Sequence, residues 1–81
     1  LAVELGTRNP NVRVNGILPG PVMLPPDLPE AEKRQAIEAT LVKREGSPEH
    51  IAQAVLSFLD NDFITGVNLP VDGGRSIYAP E

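Results

Sequence analysis

Eighty-one residues suit one small domain or a piece of a larger one. Hydrophobic residues make up 41% of the chain, enough for a core, with only 4% aromatic residues to build it. A net charge of −4 argues against a nucleic-acid or anionic-membrane surface, and no cysteine with a single histidine, His50, excludes a disulfide framework and a thiolate or histidine metal site.

No stretch approaches the length of a membrane span and no signal pattern opens the chain, so a cytoplasmic setting is expected. The chain begins on Leu1, and "LAVELG" reads as the closing turns of a helix with Gly6 as its C′ residue. The expectation is the C-terminal piece of a longer chain. "TRNPN" then reads as a surface turn. "VRVNGIL" suits a strand covered on both faces of a parallel sheet, with Val12 and Val14 alternating before Ile17 and Leu18.

That strand runs into "NGILPGPVMLPPDLP", where five of fifteen residues are proline. Such a stretch cannot be helix interior or central strand. Beyond it Asp27 is a candidate N-cap, and "EAEKRQAIEATLVKR" reads as a lightly covering helix with a narrow stripe of Ala36, Ile37, Thr40 and Leu41. "EGSPEHIAQAVLSFLD" is the clearest helix: Ser47 as N-cap, Pro48 at N1, Glu49 at the positive end of the dipole. Its apolar face carries Ile51, Ala54, Val55, Phe58 and Leu59. "FITGVNLPVDGG" reads as a turn and a strand. Pro70 lacks a ladder donor and marks an edge. His50 reads as a solvated surface residue, Asn15 as structural, Arg44 and Glu49 as a possible weak pair, and Asp72-Gly73-Gly74 as a turn at the end of the chain.

"LAVELG", "VRVNGILPGPV", "EGSPEHIAQAVLSFL" and "FITGVNLPVDGG", in that order, resemble the C-terminal third of the short-chain dehydrogenase/reductase family. "PGPV" with the proline-rich segment after it, and the "VDGGRSIY" ending, look most like pteridine-reductase-like members, with the 3-oxoacyl-carrier-protein reductase branch next. The resemblance implies an α/β fold: residues 1–81 as the C-terminal part of a Rossmann-type doubly wound parallel sheet, two strands with covering helices, incomplete as an isolated domain. It implies hydride transfer between NADP or NAD, NADP favoured, and a carbonyl, alcohol or pterin-type imine.

By the resemblance, residues 19–24 form the cofactor turn, with Pro19, Gly20, Pro21 and Val22 binding the dinucleotide and backbone near Val22 meeting the nicotinamide carboxamide. Gly20 admits close approach of the ring because it lacks a Cβ. Leu24 stands where many members carry a hydrogen-bonding threonine. Residues 23–45 would close over the substrate through Met23, Leu24, Ile37 and Leu41. Residues 47–74 would supply the C-terminal helix and edge strand, and 47–72 a two-fold contact in a homotetramer. In the family, Asn15 ties its strand to the active-site region. The family's catalytic Tyr, Lys and Ser are expected upstream of Leu1, so this chain alone is expected to be inactive. The competing expectation is a small α/β interaction module that pairs through its apolar helix and sheet edge.

Overall fold

The computed structural model describes residues 1–78. The elements in chain order are α1 (Ala2–Arg8), β1 (Gly16–Pro19), α2 (Glu30–Glu38), α3 (Pro48–Asp60), β2 (Asn68–Val71) and a 3₁₀ turn, Arg75–Ile77. β1 and β2 pair in parallel, Gly16 opposite Asn68 and Pro19 opposite Val71. Parallel strands need a long crossover, and α2 and α3 provide it. The Gly16 and Gly20 N–H groups donate to the Val67 and Val71 carbonyls at 2.8 and 3.0 Å. Alternation along a strand then turns the nitrogen of Pro70 away from β1, onto the open edge where its missing donor breaks no ladder bond.

α1 does not end at Gly6. It continues to Arg8 with Asn9 as C-cap at φ −150°, ψ 112°. The residue before a proline is pushed out of the helical region, so Pro10 ends the helix one turn later than Gly6 suggests. The Asn9 side chain then accepts the Asn11 N–H at 2.9 Å and fixes the turn.

α2 is shorter than its sequence suggests at both ends. Pro29, not Asp27, is its N-cap. Asp27 lies inside a turn closed by the Leu28 N–H on the Pro25 carbonyl at 3.1 Å, too early to cap. At the other end, Thr40 Oγ1 donates to the Ile37 carbonyl at 2.7 Å and accepts the Lys43 N–H at 2.9 Å. The Leu41 and Val42 N–H groups leave the helical path for the Gly73 carbonyl, at 2.8 and 3.2 Å. The expected stripe of Ala36, Ile37, Thr40 and Leu41 is therefore not one helical face. Thr40 is 1% exposed and Leu41 50%.

α3 follows the sequence reading: Ser47 caps, Pro48 opens the helix, and Glu49 lies in the first turn. His50 stands where a capping box usually has glutamate, and its Nδ1 accepts the Ser47 N–H at 2.8 Å. It is exposed, as expected, but it caps a helix rather than only facing solvent. Arg44 and Glu49 form no ion pair among the described residues.

The C-terminus of α3 is held from β1's approach. Arg13 Nη1 donates to the carbonyls of Phe58 at 2.9 Å, Asn61 at 3.2 Å and Ile64 at 3.0 Å. A cation there also meets the negative end of the helix dipole. Asn15 clamps the following turn, its Nδ2 donating to the Ile64 carbonyl and its Oδ1 accepting the Val67 N–H, both at 3.1 Å. Asn15 is structural in this way.

Among the described residues nothing encloses β1 on both faces, and Leu18 is 52% exposed. Among the described residues, one strand and one helix pack on it. Of the described residues, Ala54 and Thr40 alone are buried outright. The radius of gyration is 15.8 Å, against about 12 Å for a compact globule of this length. The described residues do not wrap a core of their own.

Arg13→Ala in the full-length protein is expected to cost about 1–3 kcal/mol, because three carbonyls lose a charged donor. Arg13→Lys, which keeps the charge but loses the planar fork, is expected to recover less than half. Denaturant melts of the three proteins measure this, and a loss under about 0.5 kcal/mol for Arg13→Ala would show that water replaces the arginine without cost.

Candidate functional site

The Pro19-Gly20-Pro21-Val22 turn sits at the carboxyl end of β1, the end at which open α/β sheets bind ligands. Two of its four residues have no N–H to give. The Gly20 N–H bonds the Val71 carbonyl, and the Leu24 N–H bonds Glu45 Oε1 at 3.0 Å. Among the described residues, the N–H groups of Val22 and Met23 have no acceptor. These two are the turn's unpaired donors among the described residues. Leu24, without a side-chain donor, uses its backbone to tie the turn to Glu45. A second tie joins the Gly46 N–H to the Pro21 carbonyl at 3.0 Å.

Gly20 has a reason to be glycine that the sequence does not reveal. A Cβ there would lie 2.6 Å from Asp72 Cα, 2.8 Å from its Cβ and 3.0 Å from its carbonyl oxygen. The space expected to admit a nicotinamide ring is filled on this side by the backbone after β2. Substitution at Gly20 thus acts on the fold as well as on any bound cofactor.

Asp72 holds that backbone. Its Oδ1 accepts the Gly74 N–H and its Oδ2 the Ser76 N–H, each at 3.0 Å. Burial pushes the carboxyl up, but the Ser76 hydroxyl and the Gly74 and Ser76 N–H groups outweigh it and hold the carboxyl below its ordinary value. Gly73 and Gly74 follow in the left-handed region, at φ 64° and 87°. The Asp72-Gly73-Gly74 segment, expected to be a turn at the end of the chain, is where β2, the proline turn and the exit of α2 meet.

The residues expected to cover the substrate are dispersed. Met23 is 79% exposed beside the turn, and Leu24 is half-buried. Ile37 is half-buried on α2, whereas Leu41 lies beyond the helix against Gly74. The main cleft, about 470 Å³, lies between the proline turn, α3 and the outer edge of β2, bounded by Pro21, Val22, Arg44, His50, Ala54 and Pro70. Pro21 and Val22 line it; Pro19, Gly20, Met23, Leu24, Ile37 and Leu41 do not.

Lys43 and Tyr78 also meet. Lys43 Nζ lies 4.5 Å from the ring centroid and 3.4 Å from the hydroxyl, and donates to the Glu38 carbonyl at 2.6 Å. Sequence reasoning missed this pairing, as it missed Arg13 and Asp72. An arginine between Val12 and Val14, in the run read as a strand but lying just before β1, was the available signal for Arg13.

The family model described as Enoyl-(Acyl carrier protein) reductase matches residues 1–76. A glucose 1-dehydrogenase from Gluconobacter oxydans is 36% identical over 84 residues, covering 96% of this chain and 31% of the relative. A 3-oxoacyl-(acyl-carrier-protein) reductase from Thermotoga maritima is 38% identical over 81 residues, covering 94% and 32%. The crystal structure of a short chain dehydrogenase from Bacillus anthracis superposes with a TM-score of 0.81 at 31% identity, covering all of this chain and 33% of that one. A parallel strand pair with a proline-glycine turn at its carboxyl end, together with these matches, makes the chain a member of the short-chain dehydrogenase/reductase family. It spans about a third of the length of the relatives it matches. The reading as a separate interaction module is not favoured.

Two outcomes are expected in the full-length protein. Gly20→Val should destabilise it by about 1–3 kcal/mol, the usual cost of overpacking, read as a lower denaturant midpoint without ligand. An unchanged midpoint would show that the turn moves freely off Asp72. Asp72→Asn should lower the melting temperature at neutral pH. A depressed folded pKa contributes stability that is fully present above the unfolded value and lost as pH falls through the folded one. The gap between parent and variant should therefore narrow as pH drops below about 4, and a gap that stays constant down to that range would count against it.

Proposed function

We propose that this chain supplies the nicotinamide-facing turn and the substrate cover of an NAD(P)-dependent oxidoreductase, with a carbonyl, alcohol or pterin-type imine as substrate. The observation that carries this reading is the donor inventory of the proline turn. At the carboxyl end of β1, prolines and internal bonds account for every backbone nitrogen from 19 to 24 except those of Val22 and Met23. Two adjacent free N–H groups on a stiff turn suit the carboxamide of a nicotinamide, which presents an acceptor oxygen. The bound dinucleotide supplies or accepts the hydride. This chain's part is to orient the ring and to cover the substrate with residues 23–45.

Proton transfer is assigned to the family's Tyr, Lys and Ser, which this chain does not supply. Tyr78 has a lysine over its ring face, an arrangement of cation–π type. On this reading residues 1–81 alone turn over nothing. A cytoplasmic setting and a homotetramer joined through residues 47–72 belong to the same reading. In support, β2 turns its open edge and Pro70 outward beside α3, whose Leu59 is 67% exposed.

The test of the cofactor assignment is a titration of the full-length protein with NADPH and NADH. Val22→Pro removes one of the two free donors and is expected to weaken binding by a factor of about 5–150, the equivalent of about 1–3 kcal/mol. Val22→Ile, acting through the same backbone, should bind like the parent. Equal affinities for all three would sink the assignment. Hydride transfer should then be followed with aldehyde, ketone and pterin substrates. Light scattering should give a tetramer, and Leu59→Glu should shift it towards smaller species; a monomeric parent would remove the assembly.

A further inference from the structure

The consecutive residues Asp72 and Gly73 each have a neighbour resting on them. On one side, Gly20 rests against Asp72 with no room for a Cβ and donates its N–H to the preceding carbonyl, that of Val71. On the other, the Gly73 carbonyl accepts the Leu41 and Val42 N–H groups at the exit of α2. The proposed cofactor turn and the proposed substrate cover therefore sit on consecutive residues.

Two glycines in the left-handed region do not hold such a turn by themselves, because glycine leaves that region as readily as it enters it. The Asp72 carboxylate supplies the constraint. Both of its oxygens are engaged by backbone, Oδ1 by Gly74 and Oδ2 by Ser76. Its effect is to hold the 73–74 peptide by its N–H, and so to fix which way the Gly73 carbonyl faces.

We propose that Asp72 is a positioning residue that sets the cofactor turn and the substrate cover together, through the two consecutive residues, Asp72 and Gly73, on which Gly20 and the Leu41–Val42 amides respectively rest. The proposal rests on the reading of Pro19–Val22 as the cofactor turn. A residue that only stabilised its own turn would lower the melting temperature and change nothing at residues 20–23 or 41–42. A positioning residue changes both, in a protein that is still folded.

The experiment uses the full-length protein with Asp72→Ala, Asp72→Asn and, as control, Val22→Pro, at a temperature well below every melting transition. Dissociation constants for NADPH and NADH come from fluorescence titration, and amide exchange is followed by mass spectrometry. Asp72→Ala is expected to weaken the dinucleotide by about tenfold, since two N–H groups lose a charged acceptor that fixes the turn. Exchange should quicken at Gly20 and at Leu41 and Val42 together. Asp72→Asn keeps one acceptor oxygen and should recover part of both effects; it carries the comparison alone if Asp72→Ala does not fold. Unchanged affinity and unchanged exchange at both places, with only a lower melting temperature, would overturn the proposal. Faster exchange at one place and not the other would overturn the coupling. If Val22→Pro binds cofactor like the parent, the cofactor-turn reading fails first and the proposal with it.

Discussion

Gly73 and Gly74 take the left-handed backbone that closes the turn after β2, and most of the long-range order follows from that turn. Glycine is required there on two counts. The positive φ disfavours any side chain, and a Cβ at Gly73 would also lie 2.7 Å from Val42 Cγ2 and 3.3 Å from Thr40 Cβ. With the turn formed, the Gly73 carbonyl faces α2's exit and draws Leu41 and Val42 off the helical path. Thr40 is buried as a result; its hydroxyl donates to the Ile37 carbonyl that Leu41 no longer satisfies, and Lys43 Nζ takes the Glu38 carbonyl left by Val42. Asp72, one residue earlier, forms the floor under Gly20. A short turn beyond the last strand thus determines both where a helix stops and how a proline turn is seated.

Local rules were enough for the elements whose causes are local. α3 could be read because its N-cap, first-turn proline and apolar period lie within one continuous stretch. The parallel strand pair could be inferred from two apolar runs separated by helical sequence, and Pro70 identified the outer strand. α1 carried two competing stop signals, and the proline's steric effect on Asn9 prevailed over the glycine. The end of α2 was not legible at all. Nothing in "ATLVKR" is a strong helix breaker, and the acceptor that ends the helix, the Gly73 carbonyl, lies far along the chain. No window over the sequence contains both partners.

The site divides in the same way. That Pro19 and Pro21 lack donors can be read from their identity alone, and so can the stiffness of the turn. Which remaining donors stay free cannot, because it depends on Val71 and Glu45 having taken the N–H groups of Gly20 and Leu24. The reason for glycine at position 20 had two candidates, approach of a ligand and approach of backbone, and sequence alone favoured the first. Asp72 shows that the second is present whatever the first does. His50 and Arg13 taught a related lesson: each uses a ring or guanidinium nitrogen on helix-end backbone, roles usually filled by glutamate and by glycine or water.

Lys43 shows how weak contacts together hold one strained residue. Its φ of 56° is rare for a side chain of this kind and costs about 1–3 kcal/mol. The ion pair to Glu38, 3.8 Å apart with Lys43 44% exposed, contributes at most about 1 kcal/mol, and an exposed cation–π contact to Tyr78 adds about 0.5–1 kcal/mol. Neither alone offsets the strain. The backbone must carry the rest: Thr40 Oγ1 accepts the Lys43 N–H, and the two residues before Lys43 are fastened to Gly73. The left-handed Lys43 is therefore a consequence of the chain being drawn to Gly73, with its side chain then finding Glu38 and Tyr78. Position at the cover's exit comes from the turn, and the charged side chain trims its cost.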